Sequence, residues 1–167
     1  MANKSRYLAG AAGAVLLAAA TAYTGSWEGN SYTAYLDSGG VPTICKGHTG
    51  PEVHLGMKAT PAECDAMLRA DILAHERRML ACAPELQTVS DKTYIAINDW
   101  AFNVGTGAAC ESTLIKVKLR KGDIRGACEQ LSRWVFVKGE VIKGLTNRRV
   151  TGTPGRVSER ALCLAGL

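Results

Sequence analysis

The feature that most constrains the fold is the segment of residues 7–27, which contains no charged side chain. A helix of about 20 residues spans about 30 Å, the thickness of the hydrocarbon core of a bilayer. Lys4 and Arg6 precede the segment and favour a cytoplasmic N-terminus with export of the rest of the chain. Ala and Gly dominate it, however, and its strong hydrophobes are few: Leu8, Val15, Leu16 and Leu17.

Three interpretations of this segment compete. A cleaved signal peptide would have a basic start, an apolar centre and small residues, such as those at 18–20, near the cleavage site. A permanent membrane anchor would normally carry more Leu, Ile or Phe. The third interpretation is a segment marginal enough to enter the membrane and later leave it, since Thr21, Thr24 and Ser26 weaken insertion. Composition alone ranks the signal peptide first.

Six cysteines are many for a cytosolic chain of 167 residues. No CxxC pair occurs, which argues against a zinc ribbon or a thioredoxin-type site. An even number with wide spacing favours disulfides formed in an oxidising compartment, with buried free thiols as the alternative. The pairing stays open among the six positions: Cys45, Cys64, Cys82, Cys110, Cys128 and Cys163.

Charge and motifs narrow the class of partner. The chain carries 20 Lys and Arg against 15 Asp and Glu, a modest excess that is spread out along the chain. A solvated surface or an anionic partner such as a cell-wall polymer fits this balance. No helix-turn-helix, zinc-finger or RNA-binding pattern is present, so a nucleic-acid partner is not expected. No metal-ligand pattern appears, and no cofactor is expected.

The rest of the chain predicts one mostly helical domain of the α+β class. Thr60 and Glu63 form a capping box that begins a helix over about 61–80. Ser90 caps a second helix, apolar on nearly every side, which glycines at 105 and 107 end. Shorter helices are expected over about 114–122, 123–134 and 157–164. One small hairpin is expected between residues 28 and 47, and the segment 134–142 is ambiguous.

The stretch 27–49 carries the candidate chemistry. It holds Glu28, then Asp37 before a Gly-Gly turn, then Thr43 in a β-branched run. Cleavage of a glycosidic bond needs two carboxylates on either side of a sugar ring. Taken singly, Glu28 could be a helix-end charge, Asp37 a turn residue and Thr43 a strand former. Their combination in one stretch favours a catalytic site.

The chain resembles the phage-type lysozymes (endolysins) of glycoside hydrolase family 24. The matching segments are 27–29, 34–37, 40–44, 47–49, 101–105, 112–114, 144–149 and 159–163. The resemblance implies a small N-terminal β-hairpin lobe and a larger helical lobe, with peptidoglycan as substrate. It makes Glu28 the general acid, and Asp37 and Thr43 the residues that hold and activate water in an inverting reaction.

The same resemblance implies roles for four more residues. His48 would form a structural ion pair with Asp71, Asn103 would line the cleft and contact saccharide, and Arg148 is a candidate contact to the wall polymer. Cys45 stands where relatives often have glycine, and Cys64 is a conceivable disulfide partner for it. Residues 149–156 resemble an insertion, which leaves the register of the last helix and any disulfide of Cys163 open.

The family needs a helix immediately before the catalytic glutamate, and here only residues 1–27 can provide it. This resembles the signal-arrest-release (SAR) endolysins of phages that infect Gram-negative bacteria. It implies export by the host Sec machinery, single-pass anchoring in the inner membrane through residues 7–27, and a periplasmic catalytic domain over 28–167. After release, residues 1–27 would refold as the first helix of a monomer. Alternatives are a secreted lysozyme with a cleaved signal peptide, a non-catalytic wall-binding protein and a holin-like protein.

Overall fold

The structure, a computed structural model, describes residues 4–37 and 39–167. The α-helices are α1 Gly10–Trp27, α2 Pro61–Cys82, α3 Asp91–Val104, α4 Thr106–Glu111, α5 Ile124–Gln130, α6 Lys143–Thr146 and α7 Glu159–Leu164. The antiparallel strands are β1 Ser31–Leu36 with β2 Pro42–Cys45, and β3 Phe136–Val137 with β4 Glu140–Val141. Short 3-10 turns cover Arg6–Leu8, Pro84–Thr88, Leu119–Lys121 and Leu131–Arg133, and π-helical turns cover Leu114–Lys118 and Asn147–Thr151.

The α+β, mostly helical class is confirmed, and local signals explain most helix starts. The Thr60–Glu63 capping box begins α2, and the Ser90 hydroxyl accepts the N–H of Thr93 at the start of α3. α3 ends at Gly105, whose φ of 87° suits glycine. The last helix begins at Glu159 rather than near 157, because Ser158 caps it.

A second hairpin, β3–β4, was not expected from the sequence. It lies in the ambiguous stretch 134–142 and contains only two residues in each strand. Lys138 (φ 50°) and Gly139 (φ 86°) form its turn, and two such residues match the right-handed twist of a tight hairpin. The expectation of a single hairpin was therefore wrong.

Two apolar clusters separate the molecule into lobes. The larger cluster packs α1, α2 and α3 with the C-terminal helices around Trp100, Tyr94 and Leu114, which are fully buried. The smaller cluster lies beneath β1–β2 and contains Ala34, Ile44, Cys45, Val53 and Cys64. α2 contributes to both clusters, so it joins the two lobes.

Helix α1 packs against α2 and α3 through Leu16, Ala20, Thr21 and Thr24. Its opposite face is exposed and consists of small apolar residues, among them Ala11, Ala14, Val15 and Ala18. In residues 4–37 and 39–167, no helix has both the length and the hydropathy of a membrane span.

The chain upstream of α1 forms a hook, residues 4–7, that docks on the helical lobe. Glu76 of α2 is 1% exposed and accepts hydrogen bonds from the Arg6 N–H (3.1 Å), the Tyr7 N–H (3.4 Å) and the hydroxyls of Ser5 and Tyr94. Arg6 donates to the carbonyls of Leu86 and Val89, pairs with Asp91 and lies 4.4 Å above the Tyr94 ring. These contacts hold the start of α1 at a site built from α2 and α3.

All six cysteines form disulfides: Cys45–Cys64, Cys82–Cys110 and Cys128–Cys163. The first joins β2 to the start of α2, which is the pairing that the sequence made conceivable although relatives often have glycine at position 45. The second joins α2 to α4, and the third joins α5 to α7. The register of the last helix thus places Cys163 in a bond despite the insertion.

Candidate active site

Glu28 lies directly after the last turn of α1, where its N–H donates to the Thr24 carbonyl at 3.3 Å. Its backbone is already extended, which leads the chain into β1. The carboxylate is 22% exposed, and its Oε1 lies 2.6 Å from Nη1 of Arg148. The position of this carboxylate therefore depends on the docking of α1 and on a side chain from the far end of the chain.

Asp37 follows β1 and organises the turn to β2. Its Oδ1 accepts the backbone N–H groups of Gly39 at 2.8 Å and Val41 at 2.9 Å. Its own N–H donates to the Val41 carbonyl. Among the described residues, the hydrogen bonds of this side chain all go to Oδ1, which leaves Oδ2 able to hold another donor.

Thr43 lies in β2 opposite Tyr35 of β1 and is 3% exposed. Its hydroxyl donates to the Val41 carbonyl at 3.0 Å. Val41 therefore contacts both Asp37 and Thr43, and the same short turn fixes the two side chains. Cys45, two residues further along β2, has a φ of 57°, in the left-handed region that glycine prefers.

Two cavities lie along the cleft between the lobes. A cavity of about 220 Å³ is lined by Glu28, Gly29, Asn30, Ser31, Tyr35, Cys45 and Gly47. A larger one of about 590 Å³ is lined by Gly47, Thr49, Asp71, Ala74, His75, Arg78, Phe102, Gly105 and Thr106. The two share Gly47. Glu28 lines the smaller cavity, whereas Asp37, in the turn after β1, and Thr43, on β2, are not among its lining residues.

His48 bridges the hairpin lobe and α2 beside this cleft. Its Nδ1 lies 2.8 Å from Asp71 and its Nε2 lies 2.8 Å from Glu52. Partial burial opposes protonation, but the two carboxylates outweigh it and raise the pKa of His48. The structure thus shows the expected His48–Asp71 contact and adds Glu52 to it.

Asn103 is exposed at the end of α3, next to Phe102 of the larger cavity. Its Oδ1 accepts a hydrogen bond from Arg149. Since arginine only donates, the atom that faces Arg149 must be the amide oxygen. This contact fixes the orientation of the amide, so that Nδ2 points away from Arg149.

Arg148 is 5% exposed and is surrounded by three carboxylates. Besides Glu28, it donates to Asp99 from Nη2 at 2.9 Å and from Nε at 3.2 Å, and to Glu159 at 3.1 Å. Burial disfavours its charge, but the three carboxylates outweigh burial and raise its pKa. The hydrogen bonds of Arg148 thus go to carboxylates inside the protein, and among these three partners only Glu28 lines the smaller cavity.

Sequence reasoning did not identify Asp99, Arg149 and Glu159 as members of this group. Arg149 is fully buried and bonds Glu159. One available signal was Asp99 itself, a charge within an otherwise apolar buried helix, because such residues are rarely buried without a partner. The partners, from α7 and the π-helical turn, carry no comparable local signal.

The insertion 149–156 packs against the end of α1. Arg156 donates to the Ser26 carbonyl at 2.8 Å and lies 5.3 Å above the ring of Trp27. The Tyr23 hydroxyl donates to the Val157 carbonyl at 3.0 Å. The insertion thereby supports the turn of helix that immediately precedes Glu28.

Comparison with known proteins places the chain in a family. The sequence profile described as "Phage lysozyme" matches residues 25–151. The SAR-endolysin of Enterobacteria phage P21 is 40% identical over 140 residues, which cover 83% of this chain and 78% of the relative. The SAR-endolysin of Enterobacteria phage PA-2 is 39% identical over the same shares of both chains.

Solved structures share the fold. The endolysin from Escherichia coli O157:H7 phage FAHEc1 superposes with a TM-score of 0.71 at 27% identity, over 89% of this chain and 92% of that one. The active form of P1 phage endolysin Lyz gives 0.71 at 24% identity over 92% and 93%. The secreted inactive form of Lyz gives 0.50 at 25% identity over 71% and 78%. From the profile match and these relatives, the chain belongs to the phage lysozyme family and is a muramidase, a glycoside hydrolase that acts on peptidoglycan.

Proposed function

We propose that this enzyme is an endolysin that hydrolyses the β-1,4 bond between N-acetylmuramic acid and N-acetylglucosamine during phage lysis. Glu28 is the general acid that protonates the leaving oxygen, since its carboxylate lines the cavity between the lobes. The main support for this role is that Glu28 lies at an open cavity and that Arg148 holds its carboxylate there.

Asp37 and Thr43 position the attacking water in this mechanism. Oδ1 of Asp37 is held by two backbone N–H groups, so Oδ2 is the atom that accepts a proton of the water. An inverting reaction needs the two carboxylates about 6.5–9.5 Å apart, with space for water between them. The hairpin turn, a separate element from the end of α1, supplies the second carboxylate.

Asn103 and Arg148 take different roles in the proposal. Asn103 contacts a saccharide through Nδ2, because Arg149 occupies its oxygen and Phe102 beside it lines the cleft. Arg148, a candidate wall-polymer contact from the sequence, is buried and directs its donors to Glu28, Asp99 and Glu159. It acts on Glu28 instead, as a positioning residue.

Release of reducing ends from purified peptidoglycan tests the chemistry. Glu28→Gln and Asp37→Asn remove the acid and the base at almost constant shape, and we expect each to lower kcat by about 100-fold or more. Glu140→Gln, the same change at an exposed site on β4, is the matched control. Full activity in both Glu28→Gln and Asp37→Asn would contradict the mechanism, whereas a wild type that releases no reducing ends would favour a non-catalytic wall-binding protein.

We also propose that residues 7–27 first anchor the chain in the host inner membrane after Sec export, with the catalytic domain in the periplasm. On release they fold as α1, and the enzyme becomes an active monomer. The uncharged, alanine-rich exposed face of α1 supports this, because an obligate surface helix usually carries polar residues there. The names of the SAR-endolysin relatives also support it.

The hook adds a reason for activity to depend on release. While residues 7–27 span a membrane, residues 4–6 lie on its other side and cannot reach Glu76. Glu76 would then lose the donors from Ser5, Arg6 and Tyr7, and Glu28 would lack the docked helix that places it. Docking of the hook therefore favours the released, active arrangement.

Intact-mass analysis and cell fractionation before and after membrane depolarisation test this regulation. We expect a full-length chain that moves from the membrane to the periplasmic fraction. A mature chain that lacks about the first 20 residues would contradict it and favour a cleaved signal peptide.

A further inference from the structure

Behind Glu28, two arginines and two further carboxylates form a buried charge cluster. Arg148 lies between Glu28 and Asp99, with Nη1 2.6 Å from Glu28 and Nη2 2.9 Å from Asp99. Asp99 also accepts from Nε of Arg148 at 3.2 Å, so it holds the guanidinium with both carboxylate oxygens. The side chains of Asp99 and Glu159 are fully buried, whereas that of Glu28 is 22% exposed.

The two buried carboxylates do not have equivalent surroundings. Oε1 of Glu159 accepts from both Arg148 and Arg149, but its Oε2 is buried without a donor among the residues that the structure describes. Burial, and then the neighbouring Asp99, raise the pKa of Glu159 well above its ordinary value. A proton on Oε2 that points to Asp99 satisfies this atom and removes the repulsion between the two groups.

With that proton in place, the cluster is electrically balanced while Glu28 is ionised, and it carries one net positive charge when Glu28 is protonated. Arg148 and Arg149 carry two positive charges, and Asp99 and ionised Glu28 carry two negative ones. Without Asp99, Arg148 would face Glu28 with an uncompensated charge. An arginine in contact with a carboxylate favours its ionised form, which is the wrong form for a general acid.

We propose that Asp99 is a positioning residue for the reaction. It holds Arg148 against Glu28, and its negative charge compensates the positive charge of Arg148. Arg148 then orients the Glu28 carboxyl group by hydrogen bonding, and its compensated charge does not prevent Glu28 from being protonated. Glu159 fixes both arginines but contributes no charge. This inference rests on the proposed role of Glu28 as the general acid.

Other charged or titratable groups surround the end of α1. Arg156 lies over Trp27, Lys46 of the hairpin lobe pairs with Asp65, and Asp37 lies on the hairpin turn. The partly buried Tyr23 has a raised pKa, because of desolvation and then the charges of Asp99 and Glu159, and stays neutral. These groups are the same in the two variants compared below, so they do not affect the comparison.

Asp99→Asn and Glu159→Gln form a matched pair, since each converts a buried carboxyl group in contact with Arg148 to an amide. We measure kcat/KM on purified peptidoglycan from pH 4 to 9. For Asp99→Asn, we expect the basic limb of the pH profile of kcat/KM to move to lower pH by about 1 to 2 units. The reason is that the uncompensated charge of Arg148 favours ionised Glu28. For Glu159→Gln the limb stays at the wild-type position, whatever the rate, because no charge is removed.

An equal shift in both variants, or no shift in either, overturns the inference. If Asp99→Asn does not fold, the wild type itself provides the test, through NMR titration of its ¹³C-labelled carboxyl groups. Glu159 is expected to remain protonated at pH 7, and an ionised Glu159 at that pH overturns the charge assignment. Wild-type activity of Glu28→Gln would instead refute the general acid, and the titration of Glu159 would be unaffected by that result.

Discussion

At the scale of single residues, Cys45 combines a disulfide with an unfavourable backbone. Its φ of 57° is one that non-glycine residues adopt at a cost of about 1 kcal/mol. The bond to Cys64 offsets this cost, because it crosslinks positions 19 residues apart and restricts the unfolded chain. Glycine, or a cysteine whose disulfide offsets the strain, is therefore favoured at this position.

This predicts a difference between two ways of removing the bond. In Cys45→Ser/Cys64→Ser, we expect the free energy of unfolding to fall by about 3 kcal/mol. In Cys45→Gly/Cys64→Ser, the loss should be smaller by about 1 kcal/mol, because glycine adopts the left-handed backbone without strain. Urea denaturation of the two variants measures the difference, and equal stabilities would contradict the backbone argument.

His75 predicts a pH dependence of stability. It is buried, its Nε2 has no partner among the described residues, and burial, then Arg78, lower its pKa to about 4. The unfolded chain, with an ordinary pKa of about 6.5, binds more protons between these values. The free energy of unfolding should therefore fall as pH drops through this range.

Urea denaturation at pH 7 and pH 4.5 tests this contribution. His75→Gln should lose less stability on acidification than the wild type, by about 2 kcal/mol. His54→Gln, at an exposed position, is the control. The same loss in His75→Gln and in the wild type would show that His75 does not stay neutral in the folded protein.

At the scale of elements, α1 is held at both ends by distant parts of the chain. The hook fastens its start to α2 and α3, and the insertion supports its last turn through Arg156. Its middle contributes small side chains, so the packed area is modest for a helix of 18 residues. The end contacts therefore matter more here than at a typical amphipathic helix.

Glu76→Ala should detach the hook. The buried donors of Tyr7 and Tyr94 and the partly buried donors of Ser5 and Arg6 would lose their acceptor, at a cost of about 3 kcal/mol or more. We expect lower activity and faster tryptic cleavage after Arg6. Asp65→Ala, a partly exposed carboxylate on the same helix, should cost less than about 1 kcal/mol. If Arg6 stays as protected from trypsin in Glu76→Ala as in the wild type, Glu76 does not hold the hook.

At the scale of the whole molecule, the three disulfides are distributed over both lobes. One lies in the hairpin lobe, one joins α2 to α4, and the third holds α7 against α5. The third also secures the helix that begins with Glu159, next to the charge cluster. Stability and the geometry of the site thus depend on an oxidising compartment.

Reduction should unfold the enzyme or bring it close to unfolding. Each bond closes a loop of 19 to 35 residues and contributes about 3–4 kcal/mol, and the total is comparable with the 5–15 kcal/mol typical of a domain. Thermal unfolding with and without dithiothreitol measures this, with alkylated thiols counted by mass. A reduced chain with an unchanged Tm would refute the expectation.

The sequence by itself determined features that depend on neighbouring residues. Capping residues placed the starts of α2 and α3, because the contacts of a cap span three residues. The uncharged segment marked α1, and the Glu28–Thr43 stretch pointed to glycoside hydrolysis. The hairpin β3–β4 was missed, since its strands have two residues each and show no periodicity.

Only the tertiary structure decided features that join distant positions. Glu28 meets Arg148 across 120 residues, Ser5 meets Glu76 across 71, and the disulfide pairing emerges from the same packing. Periodicity and capping report which face of an element is buried, but not which partner it meets. The physical reason is that burial makes partners obligatory for charged groups, whereas the packing of whole helices chooses those partners.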